Sequence, residues 1–140
     1  MGLNIAIDTN IIVAAVATWQ ESHSAARRAI ERLSAENTLI VPLHALMEAY
    51  SVLTRLPRPY RAKPRAAFRS IRELVGAFAV VALSSNDVWP LLETLANRSI
   101  SGGRIYDAAI ARAARAAGAE AILTINIRHF WGEGLEVLSP

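Results

Sequence analysis

Three acids of this 140-residue chain stand where acids are expensive. Asp8 closes an apolar run (Leu3, Ile5, Ala6, Ile7), Glu48 shares a helical face with Ala45, Ala49 and Val52, and Asp107 shares one with Ile110, Ala111 and Ala114. Each has an ordinary explanation: Asp8 can cap a helix, Glu48 can enter a salt bridge, and Asp107 can favour the positive end of a helix dipole. Yet the chain has only three aspartates, and two of them are in this set. Brought together, two carboxylates about 4 Å apart repel by roughly 4 kcal/mol at an effective dielectric near 20, so three of them call for a cation. There is no cysteine, and His23, His44 and His129 are scattered and read as packing or surface residues. The ligands are then hard oxygens, which suit Mg²⁺ or Mn²⁺, ions that keep several waters and bind phosphate. Such an ion lowers the pKa of a water and neutralises a leaving oxygen, the chemistry of phosphodiester hydrolysis.

The elements that must position these acids follow from the apolar pattern. Leu3 to Ile7 reads as a strand buried on both faces, as in the middle of a parallel sheet, with Asp8 at its carboxyl end, the edge where open α/β sheets bind ligands. Thr9 and Asn10 can cap a helix from Ile11 to Ala17, which is apolar all round and is either sandwiched in the core or offered to another chain. An amphipathic helix capped by Ser22 or Ser24 runs to about Ser34, a strand spans Thr38 to Val41, and Leu43 to about Leu56 forms the helix of Glu48, with Leu46, Tyr50 and Leu53 as its core stripe. Further helices are expected over Pro64 to Val75, from Ser85 to about Asn97, and from Ile105 to Ala117, where Gly118 stops the helix that begins beside Asp107. Strands are expected at Phe78 to Leu83, Ala121 to Ile125 and Leu135 to Leu138.

Composition bounds the rest. A chain of this length with 53% hydrophobic residues reads as a single domain with a sizeable core. Its long uncharged stretches, such as Thr9 to Gln20, are too short to span a bilayer, and the N-terminus lacks the marks of a secretory signal, so a cytoplasmic protein without membrane contact is expected. The net charge of +3 is informative mainly in its placement. Between Arg55 and Arg72 lie seven basic residues, three prolines and no acid. This is a loop and helix rim suited to phosphates, with Arg58, Arg61 and Arg65 as the candidate RNA contacts and Arg104, Arg112 and Arg115 as helpers; a solvated surface is the alternative.

Taken in order, Ile7-Asp8-Thr9-Asn10, Glu48, Tyr106-Asp107-Ala108-Ala109-Ile110-Ala111, Gly118, Leu123-Thr124-Ile125-Asn126 with Arg128-His129-Phe130, and a final Leu-Glu-Val strand resemble a PIN-domain ribonuclease, specifically the VapC-type toxins of bacterial toxin–antitoxin pairs. The resemblance covers nearly the whole chain. It implies one PIN domain over residues 1–140, a three-layer α/β/α sandwich with a parallel five-stranded sheet, a divalent-metal site on Asp8, Glu48 and Asp107, and metal-dependent cleavage of RNA. It also implies a homodimer and a small cognate antitoxin. Thr9, Asn10 and Thr124 would support the ligands from behind. Many family members carry a further Asp at or near Asn126; an amide there can orient a water but supplies no charge, so Asn126 is expected to take part in catalysis while leaving one tightly held ion. The antitoxin's helix is expected in a groove lined by Ile11, Ile12, Val13, Val16 and Trp19, with Leu46 or Leu53 nearby, while one of its arginines reaches the acids.

Other readings fit less well. A haloacid-dehalogenase phosphatase needs a second Asp where Asn10 stands, and a Rossmann-type binder needs a glycine-rich turn that is absent after the first strand. The serious rival is a non-catalytic RNA-binding or interaction module on the same fold, kept open by Asn126 and the apolar first helix.

Overall fold

The computed structural model describes residues 2–140. Five strands, β1 (Asn4–Ile7), β2 (Thr38–Pro42), β3 (Ala79–Val81), β4 (Ala121–Leu123) and β5 (Glu136–Leu138), form one sheet in the order β3-β2-β1-β4-β5. Every pairing is parallel. Six helices connect them: α1 (Thr9–Val16), α2 (His23–Glu36), α3 (Leu43–Arg55), α4 (Pro64–Val75), α5 (Ser85–Asn97) and α6 (Arg104–Ala116), with a short 3₁₀ turn at Ile127–Phe130.

Strand alternation divides the core between the two faces of the sheet. Ile5, Ile7, Leu39, Val41, Ala121 and Leu123 pack with α1, α2 and α4, whereas Ala6, Ile40 and Ile122 pack with α6 and Phe130 on the other side. A sheet covered on both sides is what makes its central strands continuously apolar and gives the expected α/β/α sandwich. Chain order runs from β1 outward to β3, then returns to the opposite side of β1 for β4 and β5. The turn of direction falls between β1 and β4, whose carboxyl ends lie side by side: the Asp8 N–H donates to the Leu123 carbonyl at 3.0 Å.

Some local expectations need correction. The helix after β1 starts at Thr9, and its cap is Asp8 rather than Thr9 or Asn10. All of Ile11, Ile12, Val13, Ala14 and Ala15 are buried, so α1 is the sandwiched helix of the two alternatives. Ile11, Ile12 and Val13 are therefore not free to line a groove for a partner, although Val16 and Trp19 keep exposed surface. On α3 the buried stripe is Ala45, Ala49 and Leu53, while Tyr50 is exposed, because the helix packs chiefly against α1, α4 and α6, and its small residues admit that approach. Except for β2, which runs one residue further to Pro42, the strands are shorter than the apolar runs that announce them; β4 ends at Leu123, leaving Thr124 to Asn126 as loop. Among the described residues no helix is long and apolar enough to cross a membrane.

Candidate active site

The switch in strand order opens a cleft of about 370 Å³ lined by Asp8, Thr9, Asn10, Val13, Gln20, Ser22, Glu48, Val52, Asp107, Ile125 and Asn126. Four separate segments deliver its three acids and Asn126: the end of β1, the middle of α3, the first turn of α6 and the loop after β4. The three acids and Asn126 singled out in the sequence all reach this one cleft.

Asp8 is the fixed point. It is only 4% exposed, and both of its oxygens are engaged: Oδ1 accepts the Thr9 N–H at 2.7 Å, and Oδ2 accepts the Thr124 hydroxyl at 2.7 Å. Thr124, itself fully buried, is held in turn, since its oxygen accepts from the Asn10 amide at 3.3 Å and from the Asn126 N–H at 3.0 Å. Asn10 completes the knot by accepting the Ile125 N–H at 3.1 Å. Thr9, Asn10 and Thr124 therefore lock the first carboxylate and tie the β1 end to the loop after β4, as expected of groups behind a ligand. Burial nonetheless wins over these hydrogen bonds: it pushes the Asp8 carboxyl up from 3.8 to about 6, with smaller upward contributions from the negative charges of Asp107 and Glu48.

Glu48 and Asp107 approach from opposite walls. Glu48 Oε2 accepts the Thr9 hydroxyl at 3.2 Å and lies 3.4 Å from His44 Nε2, one helical turn earlier. Asp107 Oδ2 lies 3.0 Å from His129 Nδ1. Desolvation raises the Asp107 carboxyl, opposed by His129 and reinforced by Glu48. His44 and His129 are thus not the mere surface or packing residues expected from sequence, since each sits on a site acid. The rings of His44 and Tyr106 stack with centroids 4.6 Å apart, joining the carboxylate-bearing turns of α3 and α6. His23 does fit the expectation, sharing a hydrogen bond with the Ala14 carbonyl at 2.8 Å. The signal for His44 was its four-residue spacing to Glu48 on one helix; His129 has no comparable local signature.

This donor set fits a hydrated hard cation. Among the described residues, no group of three or more acids or histidines is placed to hold a metal ion by itself. The carboxylates instead stand around an open cleft, and Mg²⁺ or Mn²⁺ uses one or two carboxylates and keeps its remaining positions for water and phosphate.

The basic residues lie outside the cleft lining. Arg61 Nε donates to the Leu56 carbonyl at 2.8 Å, and the Arg65 guanidinium sits over Phe68, 5.2 Å from the ring centroid. Arg112 is committed to Asp87 at 3.3 Å, where it ties α6 to α5, so its expected helper role gives way to a structural one. A second concavity of about 430 Å³ is apolar and lies between α3, α4 and β3, lined mainly by Leu46, Met47, Tyr50, Phe68, Phe78 and Val80.

Residues 5–130 match the PIN domain family. The chain belongs to that family. Among curated proteins it is 40% identical to ribonuclease VapC40 of Mycobacterium tuberculosis over 124 residues, covering 89% of this chain and 87% of the relative. It is 36% identical to ribonuclease VapC27 of the same species over 110 residues, covering 79% and 76%. Its fold matches the structure of VapBC2 from Rickettsia felis with a promoter DNA fragment at a TM-score of 0.72 and 19% identity, over 99% of both chains. It also matches Mycobacterium tuberculosis VapC20, a sarcin-ricin loop cleaving toxin, at a TM-score of 0.65 and 20% identity, over 84% of this chain and 86% of that one. This is a PIN-domain protein of the VapC ribonuclease type. The nucleases of that type are metal-dependent.

Proposed function

We propose that this chain, as one PIN domain over residues 1–140, is the toxin of a toxin–antitoxin pair and cleaves cellular RNA in the cytoplasm at the Asp8, Glu48 and Asp107 cleft, with Mg²⁺ or Mn²⁺ as the ion. The observation that carries this reading is the buried Asp8 carboxylate, hydrogen-bonded on both oxygens yet raised to about 6 and facing two further acids. Such a group is costly to ionise without a cation and is preorganised to receive one.

Asp8, Glu48 and Asp107 are the ligands in this reading. When bound, the ion supplies an acidified water and positive charge at the leaving oxygen. The protein's own part is positional. Thr9 and Thr124 hold Asp8 to one orientation, Thr9 and His44 hold Glu48, and His129 holds Asp107. Asn126 stands at the cleft with its N–H bound to Thr124, leaving its side-chain amide to orient water or a phosphate oxygen. It adds no charge, which favours one tightly held ion, with a second recruited only by substrate phosphate. Arg58, Arg61 and Arg65 contact the RNA backbone from the flank.

The antitoxin belongs to the same reading, but its seat moves. Ile11, Ile12 and Val13 are used in the core, whereas Met47, Tyr50, Phe68 and Val80 leave apolar surface exposed around the α3, α4 and β3 groove, the form an amphipathic helix fills. A homodimer is part of the proposal. The deciding experiment incubates purified protein with total cellular RNA in Mg²⁺ and in EDTA and maps new 5′ ends. Metal-dependent cuts at defined positions support the reading; their absence, with RNA binding retained, returns the chain to the non-catalytic binding module.

A further inference from the structure

One aromatic pair is left over by the site as described. Trp19, in the loop from α1 to α2, and Tyr60, in the loop from α3 to α4, meet with ring centroids 4.4 Å apart and planes tilted by 40°. Both remain about half exposed, at 46% and 49%. Large aromatics tucked together for stability alone bury most of their surface, and these keep ring area open to solvent.

Their surroundings define the ligand. On one side Gln20 and Ser22, next to Trp19 in sequence, already line the active-site cleft. On the other side Tyr60 lies among Arg58, Arg61 and Lys63, all exposed, in a stretch without a single acid. Among the described residues none of these three cations is paired with a carboxylate. The Tyr60 loop is also held in shape: the Tyr60 N–H donates to the Pro57 carbonyl at 2.9 Å, the Ala62 N–H to the Leu53 carbonyl at 2.9 Å, and Arg61 Nε to the Leu56 carbonyl. An open π-surface on a shaped loop that carries three exposed cations, one segment away from residues that line the acid cleft, is the composition of a single-strand nucleic-acid station, where a base stacks and its phosphates are neutralised.

We infer that the Trp19 and Tyr60 pair is a base-stacking platform that receives an unpaired nucleotide of the RNA substrate beside the cut site, with Arg58, Arg61 and Lys63 on its flanking phosphates. This rests on the ribonuclease reading above and narrows its substrate to RNA that is single-stranded at that position, because a paired base cannot present its face. Stacking is tolerant of base identity, so the platform sets where along a strand the chain can engage more than which base it prefers.

The test uses a short single-stranded RNA containing a cut site mapped with the wild-type protein in Mg²⁺. Trp19→Ala and Tyr60→Ala should each raise KM, by roughly five- to hundredfold for Trp19, with kcat little changed, and Trp19→Phe should recover much of the loss. Replacing the nucleotides of the RNA one at a time by abasic residues should reveal a single position whose loss costs the wild type the same factor and costs Trp19→Ala nothing further. In a Trp89→Phe, Trp131→Phe background, Trp19 is the only indole, and the RNA should quench it at saturation without any need for cleavage. Equal losses at every abasic position in both proteins, or no quenching while the RNA binds, would overturn the inference. So would loss of antitoxin copurification in Trp19→Ala with an unchanged KM, which would give the surface to a protein partner. If the wild type cuts no RNA but quenches on binding it, the platform stands and the ribonuclease reading falls.

Discussion

The α3 helix serves two concavities that differ in almost every physical respect. Glu48 faces the acid cleft, whose carboxylates are fixed by named hydrogen bonds, while Met47 and Tyr50, its neighbours in sequence, face the apolar groove against α4 and β3. In the cleft, the arrangement is costly in the free protein, since burial and mutual repulsion both oppose ionisation of Asp8. In the groove the cost is exposed hydrocarbon, with Met47 64% and Phe68 46% accessible. The first kind of cost is relieved by a cation and the second by an apolar surface. Two different ligands are therefore written into one helix, and perturbing either region should leave the other's ligand in place.

The strongest test of that separation is at the acids. Asp107→Asn or Glu48→Gln should lower RNA cleavage by roughly a thousandfold, in line with losing a group that stabilises developing charge, while antitoxin copurification persists. Retained cleavage would remove the cleft from the chemistry.

A second test reads the strain directly. The fold raises the Asp8 carboxyl to about 6, so the stabilisation from its protonated form is fully present below about pH 3.8 and is lost as pH rises through 6. In metal-free wild type this loss amounts to at most about 3 kcal/mol. Asp8→Asn does not titrate, so urea melts in EDTA should show its stability relative to wild type improving from pH 4.5 to 7.5. It forfeits the hydrogen bond that Thr124 donates to Oδ2, worth about 1 kcal/mol, at every pH. A difference between the two proteins that is flat across that range would mean that the buried carboxylate is not strained.

On the other side of α3, Met47→Asp should weaken antitoxin binding by about 2 kcal/mol, roughly thirtyfold, and leave cleavage of naked RNA unchanged. Copurification and a cleavage assay on the same preparation check both halves. Smaller still is the contribution of the basic flank: neutralising Arg58 and Arg65 should flatten the log K against log[salt] slope by about 0.7 per lost single-strand phosphate contact, equally for unrelated RNAs. An unchanged slope makes that flank a solvated surface.

Much of this was legible in the sequence where the governing physics is local. Pro64 marks the start of α4, and α4 and α5 both run as their patterns indicate, α5 being capped by Ser84, whose side chain accepts the Asn86 N–H. Asp8 was legible because a buried parallel strand ending in an acid has few explanations. Less local features were hidden. Asp8 both caps α1 and lines the acid cleft, so the two roles are not alternatives; one oxygen serves the helix and the other the Thr124 knot. On α3, Leu53 is buried and Leu46 packs partly against the core as expected, but Tyr50 faces outward, and close packing against neighbouring helices buries the small residues Ala45 and Ala49, which side-chain size does not announce. The groove is assembled from α3, α4 and β3, and no periodicity within one segment announces it.

The sheet's outermost strands, β3 and β5, are three residues each. A row of unpaired N–H and C=O groups that brief offers another chain almost no template for adding a strand, so the open ends of this sheet resist growth into fibres. Self-association of the free protein should accordingly run through the side chains of its apolar groove rather than through ordered backbone pairing.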